Sequence, residues 1–339
     1  MVVREGHAIP YTGAQLSQTK FVPLHVTTRL IVDTDPGQDD AFAILLALAS
    51  PELDVIGITT VAGNVPVGQT ADNARRMVEL AGRSEVRVFP GADRPILRAP
   101  RPVPEIHGAT GIDGWDWPAA AQPAQQQHAI DWIVETLLRE PADSVSVVAL
   151  APQTNIALAL RRAPEIASRI HQLIFMGGGY FEGGNMTPAA EYNILVDPEA
   201  AAIVLASGIR KITAVPIDCT HSAPAPVGWS GPLQALGTRA GAACAGMMRF
   251  FEQYGNRKYG TLSRPLHDAV AMAVLLWPEL FEGKLCPVAV ECAGKLTTGM
   301  TVVDWLRQTG EPDNCTWIRR CTAPEELYAR MLARLATLP

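Results

Sequence analysis

Apolar residues in this chain alternate between short continuous runs and sets spaced by three and four. The first run, Leu30-Ile31-Val32, ends in Asp33-Thr34-Asp35-Pro36-Gly37, after which Phe42, Leu45, Leu46 and Ala49 recur at helical spacing. This reads as strand, loop, helix. The same unit follows as a strand over 54–61 and a helix over 67–80, with another short strand at 86–89. Later units are a helix at 128–139, a strand at 144–150, a helix at 155–161, a strand at 170–176, a helix at 197–207 and a strand at 211–217. Helices are expected over 233–254 and 267–276, then a strand-rich segment at 285–319 and a last helix at 324–337. Such alternation predicts a single α/β domain with a mostly parallel, doubly wound, Rossmann-like sheet and an open cleft at the strand C-termini.

Two stretches interrupt the rhythm. Residues 90–126 hold Pro90, Pro95, Pro100, Pro102, Pro104, Pro118 and Pro123, which exclude a long helix or central strand. A connection of that length is expected to be functional, since structureless loops beyond ~12–15 residues are uncommon. Residues 1–27, rich in Gly, Gln, Ser and Thr, read as an N-terminal extension before a domain spanning 28–339. No linker or internal repeat divides that domain.

Composition narrows the function classes. Net charge is −6, with no run of Lys or Arg, so neither nucleic acid nor an anionic membrane surface is an expected partner. A neutral small molecule fits better. The six cysteines, Cys219, Cys244, Cys286, Cys292, Cys315 and Cys321, form no C-x-x-C pair and are expected as reduced thiols. The first 20 residues lack the apolar core of a secretory leader, and no run is long enough to span a bilayer. A cytoplasmic location is expected.

In a doubly wound sheet, ligands bind outside the carboxyl ends of the strands. The polar clusters of this chain fall there: Asp33, Asp35, Asp39 and Asp40 after the first strand, Asn64 after the second, Gln153-Thr154-Asn155 after a third, and Gly177-Gly178-Gly179 after a fourth. Asn185, Glu191 and Asn193 follow, and His267-Asp268 opens a helix. Carboxylates crowded together raise one another's pKa unless a positive charge offsets them. An all-oxygen set favours calcium or magnesium over zinc. The plainer reading, acids in a first helical turn, covers Asp39 and Asp40 but leaves Asp33 and Asp35 without a role.

The segment Asp33-Thr34-Asp35-Pro36-Gly37-Gln38-Asp39-Asp40-Ala41 resembles the N-terminal signature of the nucleoside hydrolase family, of the inosine-uridine-preferring type. Thr60-Val61-Ala62-Gly63-Asn64, Pro152-Gln153-Thr154-Asn155, Met176-Gly177-Gly178, Asn185-Met186-Thr187-Pro188, Glu191-Tyr192-Asn193 and Pro265-Leu266-His267-Asp268-Ala269 follow in the family's order. The resemblance spans residues 29 to about 305. It implies hydrolysis of the N-glycosidic bond of ribonucleosides to base and ribose, in nucleoside catabolism and salvage, by a homodimer or homotetramer with one calcium per chain. Asp35, Asp40, Asp268 and the Thr154 carbonyl would hold the ion, and Asp35 would act as base on the attacking water. Asp39 and Asn193 would hold the ribose diol, with Asn64 nearby. Asn185 and Glu191 would reach the 5′-hydroxyl, Met176 would pack under the sugar, and Asp33 would support the loop. His267 would face the base as general acid. His107 lies in a segment resembling a base-site loop.

The chain departs from the common pattern at Gln38, where an aliphatic residue is usual, and at Ala151-Pro152-Gln153. Neither supplies an expected ligand atom, so both bear on loop geometry. Tyr254 and Tyr259 are candidate base contacts or plain core or surface residues, and Trp115 and Trp117 a candidate lid. Two other readings compete. A haloacid dehalogenase-type phosphatase would use Asp33 as nucleophile and Asp35 as acid/base, but no downstream Lys stands in a matching context. A non-catalytic calcium-dependent sugar-binding protein would need neither Asp35 nor His267.

Overall fold

The computed structural model describes residues 27–259 and 264–339, with the side chains of 254–259 left out. The expected extension lies outside these residues apart from its last position, and so do the side chains of Tyr254 and Tyr259. Among the described residues, eight strands form the main sheet: β1 (Thr28–Thr34), β2 (Leu53–Thr60), β3 (Val88–Pro90), β4 (Val145–Ala149), β5 (Ile170–Met176), β6 (Ile212–Val215), β7 (Phe281–Cys286) and β10 (Cys315–Cys321). Their order is β3-β2-β1-β4-β5-β6-β10-β7. All neighbours are parallel except the edge pair β10–β7. A separate antiparallel ribbon joins β8 (Val288–Val290) to β9 (Thr301–Val303).

The apolar run of β1 supplies both faces, as period-two alternation requires. Leu30 and Val32 pack into one core, and Ile31 packs into the other. Helices Gln38–Leu48, Val67–Leu80, Arg239–Tyr259, His267–Leu276 and Pro324–Leu335 cover the first face. Helices Ala129–Arg139, Thr154–Arg162 and Pro198–Leu205 cover the second. Helix Gln38–Leu48 is buried along its whole length and packs beside His267–Leu276. That contact sets Asp39 and Asp40 beside Asp268, each in the first turn of its helix.

Several boundaries differ from those expected. The helix expected at 197–207 is present as Pro198–Leu205, and a short helix that was not expected, Tyr192–Val196, precedes it and ends at Asp197. Pro198 cannot continue a helix, and the Asp197 side chain caps the second one by accepting from the Ala200 N–H at 3.1 Å. The helix expected at 233–254 is split into Ser230–Ala235 and Arg239–Tyr259, with Gly237 between them at φ +70°. Within 90–126 only Pro104–His107 is helical. Trp115 and Trp117 pack partly buried against the core, and the Trp117 indole donates to the Ile112 carbonyl at 2.7 Å, so they anchor the loop from inside. All six cysteines are free thiols. Among the described residues no helix is long and apolar enough to cross a membrane.

Candidate active site

The strand order reverses between β1 and β4, and the cleft opens at that switch point, as the doubly wound topology dictates. Asp33 sits beneath it. One oxygen of Asp33 accepts from Thr59 Oγ1 at 2.6 Å and from Asn155 Nδ2 at 2.8 Å. Burial nevertheless pushes its pKa up to about 6. Asn155 also donates to the Thr60 carbonyl at 3.0 Å and accepts from the Ala92 N–H at 2.9 Å, stitching three strand ends together. Asp35 lines the cleft, and its Oδ2 accepts from the Asn64 N–H at 2.7 Å. A side chain on Gly63 would collide with that carboxylate, which explains a glycine there.

Asp39, Asp40 and Asp268 offer oxygens within 4.8 Å of one another, all buried. Asp40 accepts from Thr34 Oγ1 at 2.5 Å, from the Gly37 N–H at 3.0 Å and from Asn64 Nδ2 at 3.3 Å. Two helix N-termini meet here, and their partial positive ends favour negative charge. They do not offset it fully. Burial raises Asp35, Asp40 and Asp268, with neighbouring aspartates adding to Asp35 and Asp268, and it raises Asp39 to about 7. One Asp39 oxygen is buried with no hydrogen-bond partner among the described residues.

This electrostatic frustration predicts a pH dependence. Folded-state pKa values near 6 for Asp33 and near 7 for Asp39 exceed the unfolded value of ~4. The folded chain therefore holds more protons than the unfolded one between about pH 4 and 7, and its stability must fall as pH rises through that window. Differential scanning fluorimetry in chelator is expected to show Tm declining from pH 5 to 7.5, with added divalent cation raising Tm most at the upper end. A Tm that climbs with pH in chelator would contradict the assignment.

The opposite wall is built from the loop after β5. Glu191 caps helix Tyr192–Val196 and accepts from the N–H groups of Gly178 at 2.9 Å, Asn193 at 3.0 Å and Ile194 at 3.3 Å; burial still raises it to about 7. Those bonds leave it one acceptor site for a ligand. The Asn193 amide donates to the carbonyls of Leu150 at 2.9 Å and Met176 at 3.2 Å, turning its oxygen free for a hydroxyl. Asn185 Oδ1 accepts from the Tyr192 N–H at 3.0 Å, leaving its amide as a donor. Sequence reasoning missed Asp218, which accepts from the N–H groups of Tyr180 at 3.1 Å and Glu182 at 2.8 Å and from the Trp317 indole at 2.9 Å, fixing this loop from behind. Its partners lie far away in sequence, and no local signal exposed it.

The remaining wall is aromatic and basic. His107 stacks toward Phe251, ring centroids 6.2 Å apart, and the Arg264 guanidinium lies 4.9 Å from the Phe251 centroid. Burial, helped by the charge of Arg264, holds the His107 pKa at about 3. His267 contributes a half-buried imidazole whose Nδ1 lies 2.7 Å from Thr220 Oγ1. Burial first, then His221 and Arg264, keep it well below the usual histidine pKa, so it rests uncharged. Phe251 and Arg264 carried no motif and were not anticipated.

These walls meet around one cleft. It gathers Asp35, Asp39, Asn64, His107, Met176, Asn185, Glu191, Asn193, His267 and Asp268 from the residues expected. Asp40 lies beneath the lining. Thr154 does not line the cleft either; its hydroxyl donates to Asp197 at 2.7 Å.

The sequence model for inosine-uridine preferring nucleoside hydrolases matches residues 30–326. The chain belongs to the nucleoside hydrolase family. Escherichia coli pyrimidine-specific ribonucleoside hydrolase RihA is 44% identical over 288 residues, covering 85% of this chain and 92% of its own. A Schizosaccharomyces pombe protein is 43% identical over 311 residues, covering 92% of this chain and all of its own. The purine-preferring ribonucleoside hydrolase from Gardnerella vaginalis superposes with a TM-score of 0.85 at 31% identity, covering 91% of this chain and 98% of that one. The protein is a ribonucleoside hydrolase, which sets aside the phosphatase and the non-catalytic sugar-binding readings.

Proposed function

We propose that this nucleoside hydrolase cleaves pyrimidine ribonucleosides with a calcium ion held at the carboxylate floor of the cleft. The observation that carries the proposal is the convergence of Asp39, Asp40 and Asp268, with Asp35 alongside, as buried acids whose mutual repulsion a cation would relieve. The donor set fits a hard ion: carboxylates from two helix N-termini, with one Asp39 oxygen lacking a partner. Asp40, Asp268, Asp35 and the Thr154 carbonyl are the proposed holders. When bound, such an ion would clamp vicinal hydroxyls and acidify a water.

The chain's own residues then divide the labour. Asp35, whose carboxyl burial and Asp40 push well above the usual carboxylate range, takes a proton from the attacking water. Asp39 and the Asn193 oxygen receive the 2′- and 3′-hydroxyls, and Asn185 and Glu191 hold the 5′-hydroxyl. Met176 floors the sugar. Negative charge develops on the departing base, which lies between Phe251, His107, Arg264 and His267, and His267 donates toward it. Pyrimidine preference rests on the identity to the E. coli enzyme across most of both chains. Ribose release from uridine, cytidine, inosine and adenosine tests it: kcat/KM is expected to be highest for a pyrimidine, and a purine preference would refute that choice.

A further inference from the structure

One residue of the first turn touches the cleft through a single intermediary. Gln38 is fully buried in the first turn of helix Gln38–Leu48. Its side-chain nitrogen donates to the His107 carbonyl at 2.9 Å and faces the Asp113 carbonyl at 3.3 Å. An amide flipped the other way would set its oxygen against two carbonyl oxygens, so this orientation is fixed by chemistry as well as by position. The Gln38 oxygen then lies 2.7 Å from His107 Nδ1. An amide oxygen only accepts. Nδ1 must therefore carry the proton.

A neutral imidazole protonated at Nδ1 has a bare lone pair at Nε2. The edge bearing Nδ1, Cγ and Cε1 is packed against Gly37, where an added Cβ would come within 2.5 to 3.0 Å of those atoms. Nε2 has no partner among the described residues, and His107 lines the cleft. We infer that Gln38 is a positioning residue that locks His107 as an acceptor, and that Nε2 receives a ring N–H on the outer edge of the base. The ligand class is then a nucleoside whose base carries an imide or lactam N–H, as uracil does at N3 and hypoxanthine at N1. Adenine, with a bare ring nitrogen at the corresponding edge, places lone pair against lone pair. Arg264, whose guanidinium lies 4.9 Å from the Phe251 centroid, adds positive charge to the same wall, which suits the carbonyl oxygens that flank such an N–H.

This inference rests on the ribonucleoside hydrolase reading, and its test separates the two. Nitrogen-15 NMR of the histidine rings, with His107 assigned by loss of its signal in His107→Gln, reports the tautomer without any turnover. The wild type is expected to show His107 protonated at Nδ1, and Gln38→Leu to lose that form. Kinetics supply the second arm. Gln38→Leu leaves the His107 ring in place but frees its tautomer, so the kcat/KM ratio of uridine to 3-methyluridine is expected to fall about 10-fold, the scale of one hydrogen bond. A His107 protonated at Nε2 in the active wild type overturns the proposal, as does a Gln38→Leu variant that loses both substrates equally. A wild type inactive on every nucleoside would overturn the reading of the reaction instead.

Discussion

Asp35→Asn is expected to lose more than the ~10²–10⁴-fold that removal of a general base alone typically costs. Asp35 stands where two needs meet: a group that takes a proton, and a carboxylate for the ion. An amide can do neither. The structural cost of the change is small, because the oxygen of an asparagine can still accept from the Asn64 N–H now bonded at 2.7 Å. The substitution also removes one of several like charges buried together, burial and Asp40 being the main causes that raise Asp35. Its Tm in chelator is therefore expected to hold or rise while turnover collapses. That pairing separates chemistry from damage. A variant keeping a tenth of wild-type turnover would rule out the role.

His267→Ala is expected to lose on the order of 10²-fold or more on natural nucleosides, mainly in kcat. Assistance to the leaving group matters only while that group is poor. With p-nitrophenyl riboside the departing phenolate is already stable, and the variant should turn it over at a near-normal rate. The geometry suits this division: His267 lines the cleft, and its Nδ1 is engaged by Thr220 at 2.7 Å, which leaves Nε2 for the base. The imidazole rests uncharged, held there by burial, His221 and Arg264. It therefore meets the base as a hydrogen-bond donor whose help grows as charge accumulates. Equal losses on both substrates would make His267 a structural or sugar-positioning residue.

Legibility followed locality. The strand-loop-helix unit around Asp33 to Asp40 could be read directly, because period-two and period-3.6 patterning with a Pro-Gly turn lie within twenty residues. Ordered motifs gathered most of the sugar-side residues, since each sits at the end of a strand whose register is set by neighbours. The break at Gly237 escaped notice because apolar spacing continues across it while a left-handed glycine ends the first helix. Arg264 and Phe251 come together only through tertiary packing. Gln38 shows the limit most clearly. Sequence reasoning assigned it to loop geometry alone, since it supplies no ligand atom. Its reach of 2.7 Å to His107 Nδ1, across 69 positions of chain, gives it a say in how the base wall is protonated.

The central claim is that buried carboxylates and a divalent cation together cleave the glycosidic bond. Its most direct measurement is ribose release from uridine by protein exhaustively chelated, then titrated with calcium, with metal content followed by elemental analysis. The account predicts activity lost with the metal and restored as one ion per chain returns. Full turnover in strong chelator, with no metal detected, would contradict it.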